Sequence, residues 1–209
     1  MPEQPPWSEL DTFIELMSGR NRPVMSKILE DHRQLFQQAK GSRSNHHAWP
    51  GGYWDHISEC LNLARAQYRL WNSLRPLEYS LAEALEVLFV HDIEKPWKYV
   101  AHAPCPISVP DLSLKPERAA WRLTFLQYYG VVFTARQDNA LEFCEGESTD
   151  YRPNSRMMGP LAHLCHTCDE TSARQFPGHP HAHADTWAGA HRVAAHDGLA
   201  TVTALPSTT

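Results

Sequence analysis

Residues 81–96 read Leu81-Ala-Glu-Ala-Leu-Glu-Val-Leu-Phe-Val-His-Asp-Ile-Glu-Lys-Pro96. The apolar side chains recur at intervals of three and four residues, which is typical of a helix buried along one face. His91 and Asp92 continue this apolar face at its C-terminal end, so we expect both side chains to point into the protein. Burying a carboxylate without a partner is costly. The pair therefore needs a cation or a dense hydrogen-bond network around it.

Helical periodicity extends over most of the remaining chain. We predict helices over residues 7–17, 24–40, 54–71, 77–95, 115–129, 134–143 and 157–174. Pro96 is expected to close the fourth helix, and the three prolines of residues 103–110 indicate a loop. No strand pattern or internal repeat is visible. The sequence predicts an all-α fold, with one helical domain over residues 1–175 and an irregular C-terminal tail over 176–209, extended or mobile.

Composition narrows the class of protein. With 209 residues, 42% of them hydrophobic, the chain can build the core of one domain. Its net charge of -5 argues against binding nucleic acid by bulk electrostatics. No apolar run approaches the roughly 20 residues of a membrane span, and the N-terminus lacks the pattern of a secretory signal. Five cysteines without a disulfide framework favour a reducing cytoplasm.

Further metal-binding side chains are expected near the His-Asp pair. Helices 54–71 and 77–95 are predicted to run antiparallel, and His56 and His91 lie at similar distances from the turn between them. The two imidazoles should therefore be neighbours. Asp169 lies on a mostly apolar face of helix 157–174. Two imidazoles and two carboxylates suit one divalent ion with open positions for water and substrate, and the candidate ions are Mn, Ni, Co, Fe, Mg and Zn.

These residues resemble a known signature. The ordered set His56, His91-Asp92 and Asp169 is similar to the H…HD…D signature of the HD-domain metal-dependent phosphohydrolases, an all-α superfamily. Residues 46–56, His-His-Ala-Trp-Pro-Gly-Gly-Tyr-Trp-Asp-His, are similar to the HHA-x-x-GG-x-x-x-H segment of HD-domain 3′→5′ exoribonucleases and their relatives. The HDIGKP segment of that group corresponds here to His-Asp-Ile-Glu-Lys-Pro. The resemblance covers residues 45–174, the motif core of an HD-type helical bundle.

The resemblance implies a divalent-metal-dependent phosphohydrolase that acts through a metal-activated water. The expected substrate is a small phosphorylated molecule, a nucleotide or a short phosphodiester, and short single-stranded nucleic acid is a further candidate. Asp92 or Asp169 would orient the water as well as bind the metal. Lys95 corresponds to the HD-x-x-K lysine expected to contact a phosphate, and the alternative is a plain helix C-terminal cation. Glu94, where the motif has Gly, is expected to lie in solvent.

Other side chains are candidates for contact with substrate. The motif supports His46 and His47, although the pair could instead lock the loop around Gly51 and Gly52. Proximity to the motif segments suggests three arginines, Arg43, Arg156 and Arg174. Aromatic residues flanking the motifs could stack on a nucleobase or belong to the core, and these are Trp49, Tyr53, Trp54, Trp97 and Tyr99.

One departure favours a single metal ion. Many relatives carry a further His between the HD pair and the last Asp, and the comparable position here is Cys144. His102 and His163 are the alternative ligands for a second ion. The missing His also argues against a di-iron oxygenase of the same fold. Two other hypotheses are a degenerate HD domain with a binding or regulatory role, and a zinc module built on the pair Cys165-x-x-Cys168.

Overall fold

The described part of the chain is built from helices. A computed structural model describes residues 6–147, 152, 154–175, 187, 188 and 190. Its elements are α1 Leu10–Leu16, α2 Asn21–Gln38, α3 Gly52–Leu74, α4 Leu81–Val90, α5 Lys95–Tyr99, α6 Lys115–Tyr129, α7 Ala135–Phe143, α8 Pro160–Glu170 and a π-helix, Thr171–Gln175. No strand occurs within these residues, which confirms the predicted all-α class. Most of the predicted tail lies outside the described residues.

Helix α3 is the central element. It contacts α1, α2, α4, α8 and the π-helix, and every residue from Gly52 to Arg65 is buried. A helix surrounded by other helices also turns its polar residues inward, so these side chains must find partners inside the protein. Asn62, for example, exchanges two hydrogen bonds with the backbone of Ser8, each 2.9 Å long. The buried length of α3 is thus where a polar site can be assembled.

The predicted helix over residues 77–95 is wrong at both ends. Ser80 caps the helix through a capping box with Glu83, so α4 begins at Leu81. The helix ends at Val90, and Pro96 lies in the first turn of α5 instead of closing α4. Proline is suited to a first turn because its missing N–H would have no helical partner there. The His-Asp pair therefore lies on a tight turn between two helices.

Other helix boundaries follow the sequence more closely. The predicted helix over residues 115–129 is confirmed, and it ends at Gly130 with φ 81°. The predicted helix over residues 134–143 begins where Thr134 and Gln137 form a capping box, and α7 follows it. The predicted helix over residues 7–17 begins later than expected, at Leu10, and Ser8 instead binds Asn62 and Arg65. Within the described residues no helix has both the length and the apolar character of a membrane span.

The loop between α2 and α3 folds tightly over the start of α3. His47 is fully buried in it with a positive φ of 49°, and its carbonyl accepts a hydrogen bond of 2.8 Å from the N–H of Gly41. A Cβ on Gly52 would lie 1.9 Å from the His47 carbonyl oxygen, and one on Gly41 would lie 2.7 Å from the His47 Cβ. Both glycines are therefore required by close packing.

We expect Gly52→Ala to lower the free energy of unfolding by about 3 kcal/mol, because the added methyl overlaps a buried carbonyl. Urea unfolding of the full chain measures the change. Gly19→Ala is the control: nothing lies within 4 Å of a Cβ there, although φ is 59°. That variant should lose only about 1 kcal/mol, the cost of the left-handed backbone. Equal losses in the two variants would contradict the packing argument.

Candidate metal centre

Four side chains from three parts of the fold meet at one buried point. The Nε2 atom of His56 on α3 lies 3.3 Å from Asp92 Oδ2 and 3.1 Å from Asp169 Oδ1. The Nε2 atom of His91 lies 3.3 and 3.5 Å from the same two oxygens. The two imidazole rings are 5.4 Å apart, the neighbouring arrangement that the sequence predicts. All four side chains expected from the motif are thus brought together.

The tautomer of His91 leaves one ring nitrogen for a cation. Its Nδ1–H donates a 2.8 Å hydrogen bond to the carbonyl of Leu88, so Nε2 faces the carboxylates. Nε2 of His91 and Oδ2 of Asp92 are buried and lie 3.3 Å apart, and the carboxylate oxygen also contacts the Lys95 ammonium. Donor atoms held inward in this way fit a divalent metal ion, since the second nitrogen of a metal-bound histidine is usually fixed by a hydrogen bond.

His56 is oriented by a chain of hydrogen bonds. Its Nδ1 lies 3.0 Å from the Ser172 hydroxyl, and that hydroxyl donates a 2.8 Å hydrogen bond to Glu59 Oε2. Because the single Ser172 proton is used on Glu59, its oxygen accepts from the Nδ1–H of His56. Nε2 of His56 is then free to bind metal. Sequence reasoning missed Glu59 and Ser172, whose contact joins α3 to the π-helix.

Ser172→Ala should weaken metal binding about 10- to 100-fold, the usual effect of losing a group that orients a ligand. The imidazole of His56 would lose the acceptor that fixes its tautomer. Equilibrium dialysis with Mn²⁺ measures the affinity, and Ser172→Thr, which keeps the hydroxyl, should restore most of it. Thr167→Ala is the control, since that hydroxyl bonds only a carbonyl of its own helix. An unchanged Mn²⁺ affinity in Ser172→Ala would contradict this role.

The electrostatics of the centre favour a positive charge between the carboxylates. Burial lowers the pKa of His91, but Asp92 and Asp169 outweigh burial and raise it to about 10. Burial opposes ionisation of the two aspartates, yet the neighbouring cationic groups hold the pKa of each well below its usual range. Lys95 also contacts Asp92 Oδ2 directly. The same field that holds a proton on His91 would hold a metal cation.

Cys60 is an additional neighbour of the centre that the sequence analysis did not identify. It lies one turn after His56 on α3, fully buried, with Sγ 3.8 Å from both ring nitrogens of His56. His56, Cys60, His91 and Asp169 form a buried group with ligand atoms within 4.8 Å of one another that could hold a metal ion. The four-residue spacing between His56 and Cys60 is the sequence signal that could have identified Cys60.

The two histidines of the loop have different surroundings. His47 is fully buried, and its Nε2 lies 3.4 Å from Glu59 Oε2. His46 is partly exposed beside the centre, and its Nδ1 lies 3.3 Å from that of His47. Burial, followed by the charges of His56 and Lys95, lowers the pKa of His46 to about 4. At neutral pH its imidazole is therefore uncharged and can both donate and accept a hydrogen bond.

A cavity of about 270 Å³ opens onto the centre. Its walls carry both acidic and basic groups, and they are His46, Asp92, Glu94, Lys95, Lys98, Arg118, Glu145, His166, Asp169, Glu170, Ala173 and Arg174. Three of the residues expected to contact substrate thus line the cavity, namely His46, Lys95 and Arg174. Arg43 and Arg156 do not line it, and neither does His47.

Those other candidates lie elsewhere. Arg43 lines a neighbouring cavity of about 680 Å³, together with Trp97 and Tyr99. Arg156 and His163 line a third cavity of about 970 Å³. Four of the five flanking aromatics are buried, namely Trp49, Tyr53, Trp54 and Trp97, and only Tyr99 is partly exposed.

Glu94 is not in solvent, and that expectation is wrong. Its side chain is 2% exposed and lies 3.3 Å from Arg122 Nε and 3.7 Å from Arg118 Nε, both on α6. Burial raises the pKa of Glu94, and Arg122 offsets part of the shift. A glycine at this position could not make these contacts. Glu94 therefore links α6 to the turn on which Asp92 lies.

The cysteines of the zinc-module hypothesis do not join a metal-binding group in the described part of the chain. Cys165 and Cys168 are buried on α8, and the Sγ of Cys168 points toward Gln67 Oε1 at 3.7 Å. Cys144, at the position of the expected further histidine, is also buried. Its carbonyl accepts a hydrogen bond from the ring of His166. Neither His102 nor His163 lines the cavity of the centre.

No family model, curated protein or solved structure matches this chain. The resemblance to HD-domain phosphohydrolases therefore rests on the motif residues quoted above and stays a prediction. What the described residues contain is a buried group of histidine, cysteine and aspartate side chains that could bind a metal ion.

Proposed function

We propose that this chain is a divalent-metal-dependent phosphohydrolase of the HD-domain type, acting on a nucleotide or a short phosphodiester. One observation carries the proposal. The Nε2 atoms of His56 and His91 face the carboxylates of Asp92 and Asp169 at 3.1 to 3.5 Å. Nitrogen and oxygen ligands together at the edge of an open cavity suit a catalytic metal site, which keeps a position for water or substrate.

His56, His91, Asp92 and Asp169 would hold the ion. A bound divalent cation supplies Lewis acidity and lowers the pKa of a coordinated water. The protein orients the ligands: Leu88 fixes the ring of His91, and Ser172 fixes the ring of His56. Asp169 is the more exposed carboxylate, with 18% of its side chain open to the cavity, against 6% for Asp92. It is thus better placed to accept a proton from a water molecule.

Lys95 and His46 would act on the substrate. The Lys95 ammonium lines the cavity next to Asp92, where it can neutralise charge on a phosphoryl oxygen. His46 is uncharged at neutral pH because of its pKa of about 4, so its imidazole can form a hydrogen bond with a phosphate oxygen or a water molecule at the cavity wall. Both residues would position the reacting phosphate beside the ion.

A nucleotide-type substrate is supported by the neighbouring cavity. Lys98 lines both that cavity and the one at the centre, so the two spaces adjoin. The neighbouring cavity is lined by Tyr99, which is partly exposed, and by the basic residues Lys40 and Arg43. An aromatic side chain among cations is the combination that binds a base and its phosphates.

A substrate screen tests the proposal. Purified protein is incubated with Mn²⁺, Ni²⁺, Co²⁺ or Mg²⁺ and with nucleoside mono- and triphosphates, cyclic nucleotides and single-stranded RNA. We expect metal-dependent release of phosphate or nucleotide from at least one class, abolished by EDTA and by Asp92→Ala. Absence of turnover with every substrate, or full turnover by Asp92→Ala, would refute it. The former result would favour the binding or regulatory alternative if the protein still binds metal.

A further inference from the structure

Two basic residues beside the metal centre have no role in the scheme above. Lys98 on α5 and Arg118 on α6 line the same cavity as Asp92 and Asp169. They come from separate helices, so their meeting at one wall is a property of the fold and not of a local basic sequence. Their position makes them available to a substrate that already contacts the centre.

The charge of Lys98 is not neutralised by an ion pair. Among the described residues no carboxylate lies within 4 Å of its ammonium, and Nζ lies 5.4 Å from the centre of the Tyr99 ring. Burial and the nearby Arg118 both lower the pKa of Lys98. A partly buried ammonium that faces another cation gains from binding an anion.

Arg118 is held in place by the protein. Its Nε lies 3.7 Å from Glu94 Oε1, and its Nη1 donates a 3.1 Å hydrogen bond to the carbonyl of Ser113. Glu94 also faces Arg122 at 3.3 Å, so one carboxylate is shared by two guanidinium groups. Arg122 also lies 3.9 Å from Glu145 Oε1, so together with Lys98 three cations face two carboxylates, and this part of the wall keeps one positive charge in excess. A fixed guanidinium binds a phosphate with little further loss of side-chain freedom.

We propose that Lys98 and Arg118 form a second phosphate subsite, which binds a phosphate group of the substrate other than the one held at the metal centre. This inference rests on the proposed function, because the first phosphate is the one that would react at the ion. It deepens that function by naming the substrate class, a nucleotide with at least two phosphate groups. Glu94 acts as the positioning residue that fixes Arg118 against the cavity.

Calorimetric titration of the full chain tests the subsite. The probes are adenosine monophosphate and α,β-methylene-adenosine diphosphate, which differ by one phosphonate-linked phosphate, each with saturating Mn²⁺ and again with EDTA. We expect the diphosphate analogue to bind about tenfold more tightly than the monophosphate, because a tenfold gain in affinity is the usual effect of one charge-assisted hydrogen bond. In Lys98→Gln/Arg118→Gln this ratio should fall to about one, while binding of the monophosphate changes by less than about twofold.

Single variants keep the test independent of folding. Lys98→Gln breaks no ion pair and should by itself reduce the ratio about threefold. The control is Lys27→Gln on α2, whose side chain is 66% exposed and pairs with Asp31 at 3.0 Å, and neither residue lines the cavity of the centre. It should leave the ratio unchanged. A wild-type ratio near one, or a ratio that survives both substitutions, would overturn the subsite.

The two proposals can fail separately. Tighter binding of the monophosphate with Mn²⁺ than with EDTA reports on the metal centre. The part of the ratio between the two ligands in EDTA that is lost in Lys98→Gln/Arg118→Gln reports on the subsite. A ratio that depends on these residues but no effect of Mn²⁺ would keep the subsite and reject the metal-dependent hydrolase.

Discussion

Asp169→Asn should reduce both metal binding and turnover by at least about a hundredfold, since changes to groups that merely orient a ligand already cost 10- to 100-fold. The substitution removes one negative charge with almost no change of shape. Asp169 lies within 3.5 Å of both imidazoles, so the centre would lose one of the two carboxylates that lie between His56 and His91. Metal content after dialysis, measured by mass spectrometry, and the rate of hydrolysis in the substrate screen give the two readouts.

Asp138→Asn is a matched control for this variant, since Asp138 is an exposed carboxylate on α7, a helix that contacts α8. Its metal content and rate should equal those of the unchanged protein. Circular dichroism of Asp169→Asn should show the same helix content, because the amide replaces the carboxylate in the same space. Retained metal at full stoichiometry in Asp169→Asn would reject Asp169 as a ligand.

Glu94→Ala should lower the free energy of unfolding by about 3–5 kcal/mol, the typical cost of removing one partner from a buried ion pair. Only 8% of the Arg122 side chain is exposed, so its buried guanidinium would lose the carboxylate at 3.3 Å and keep the more distant one of Glu145 at 3.9 Å. Urea or thermal unfolding of the metal-free protein measures the loss. The double variant Glu94→Met/Arg122→Met, which removes both charges and keeps the volume, should recover most of the stability.

An exposed ion pair provides the comparison. Glu15 and Arg22 lie 3.4 Å apart with side chains 73% and 53% exposed. Glu15→Ala should change the free energy of unfolding by less than about 1 kcal/mol, because water screens such a pair. If Glu94→Ala cost no more than Glu15→Ala, the buried network would have no structural importance.

Three of the four side chains at the centre could be predicted because they continue an apolar helical face. His91 and Asp92 follow such a face on α4, and Asp169 lies on another on α8. The distance from the intervening turn then placed His56 beside His91. Helix ends were predicted where a local signal marks them, as with the capping box at Thr134 and Gln137.

Contacts that depend on how two helices face each other could not be predicted in this way. Ser172 reaches His56 only through the packing of the π-helix on α3. Glu94 meets Arg118 and Arg122 because of the direction in which α6 crosses the turn, which local periodicity does not encode. The break of the helix at Val90 was also missed, since Pro96 is equally compatible with ending one helix and beginning the next.

The donors of the centre are far apart along the chain, on α3, on the turn before α5 and on α8. A cation bound by all of them would act as a cross-link that closes two long loops, as a pair of disulfides would. Binding energy at such a site adds directly to folding stability. With the ion at a hundred times its dissociation constant, the native state would gain about 2.7 kcal/mol. Resistance to heat and to proteases would then follow the supply of metal.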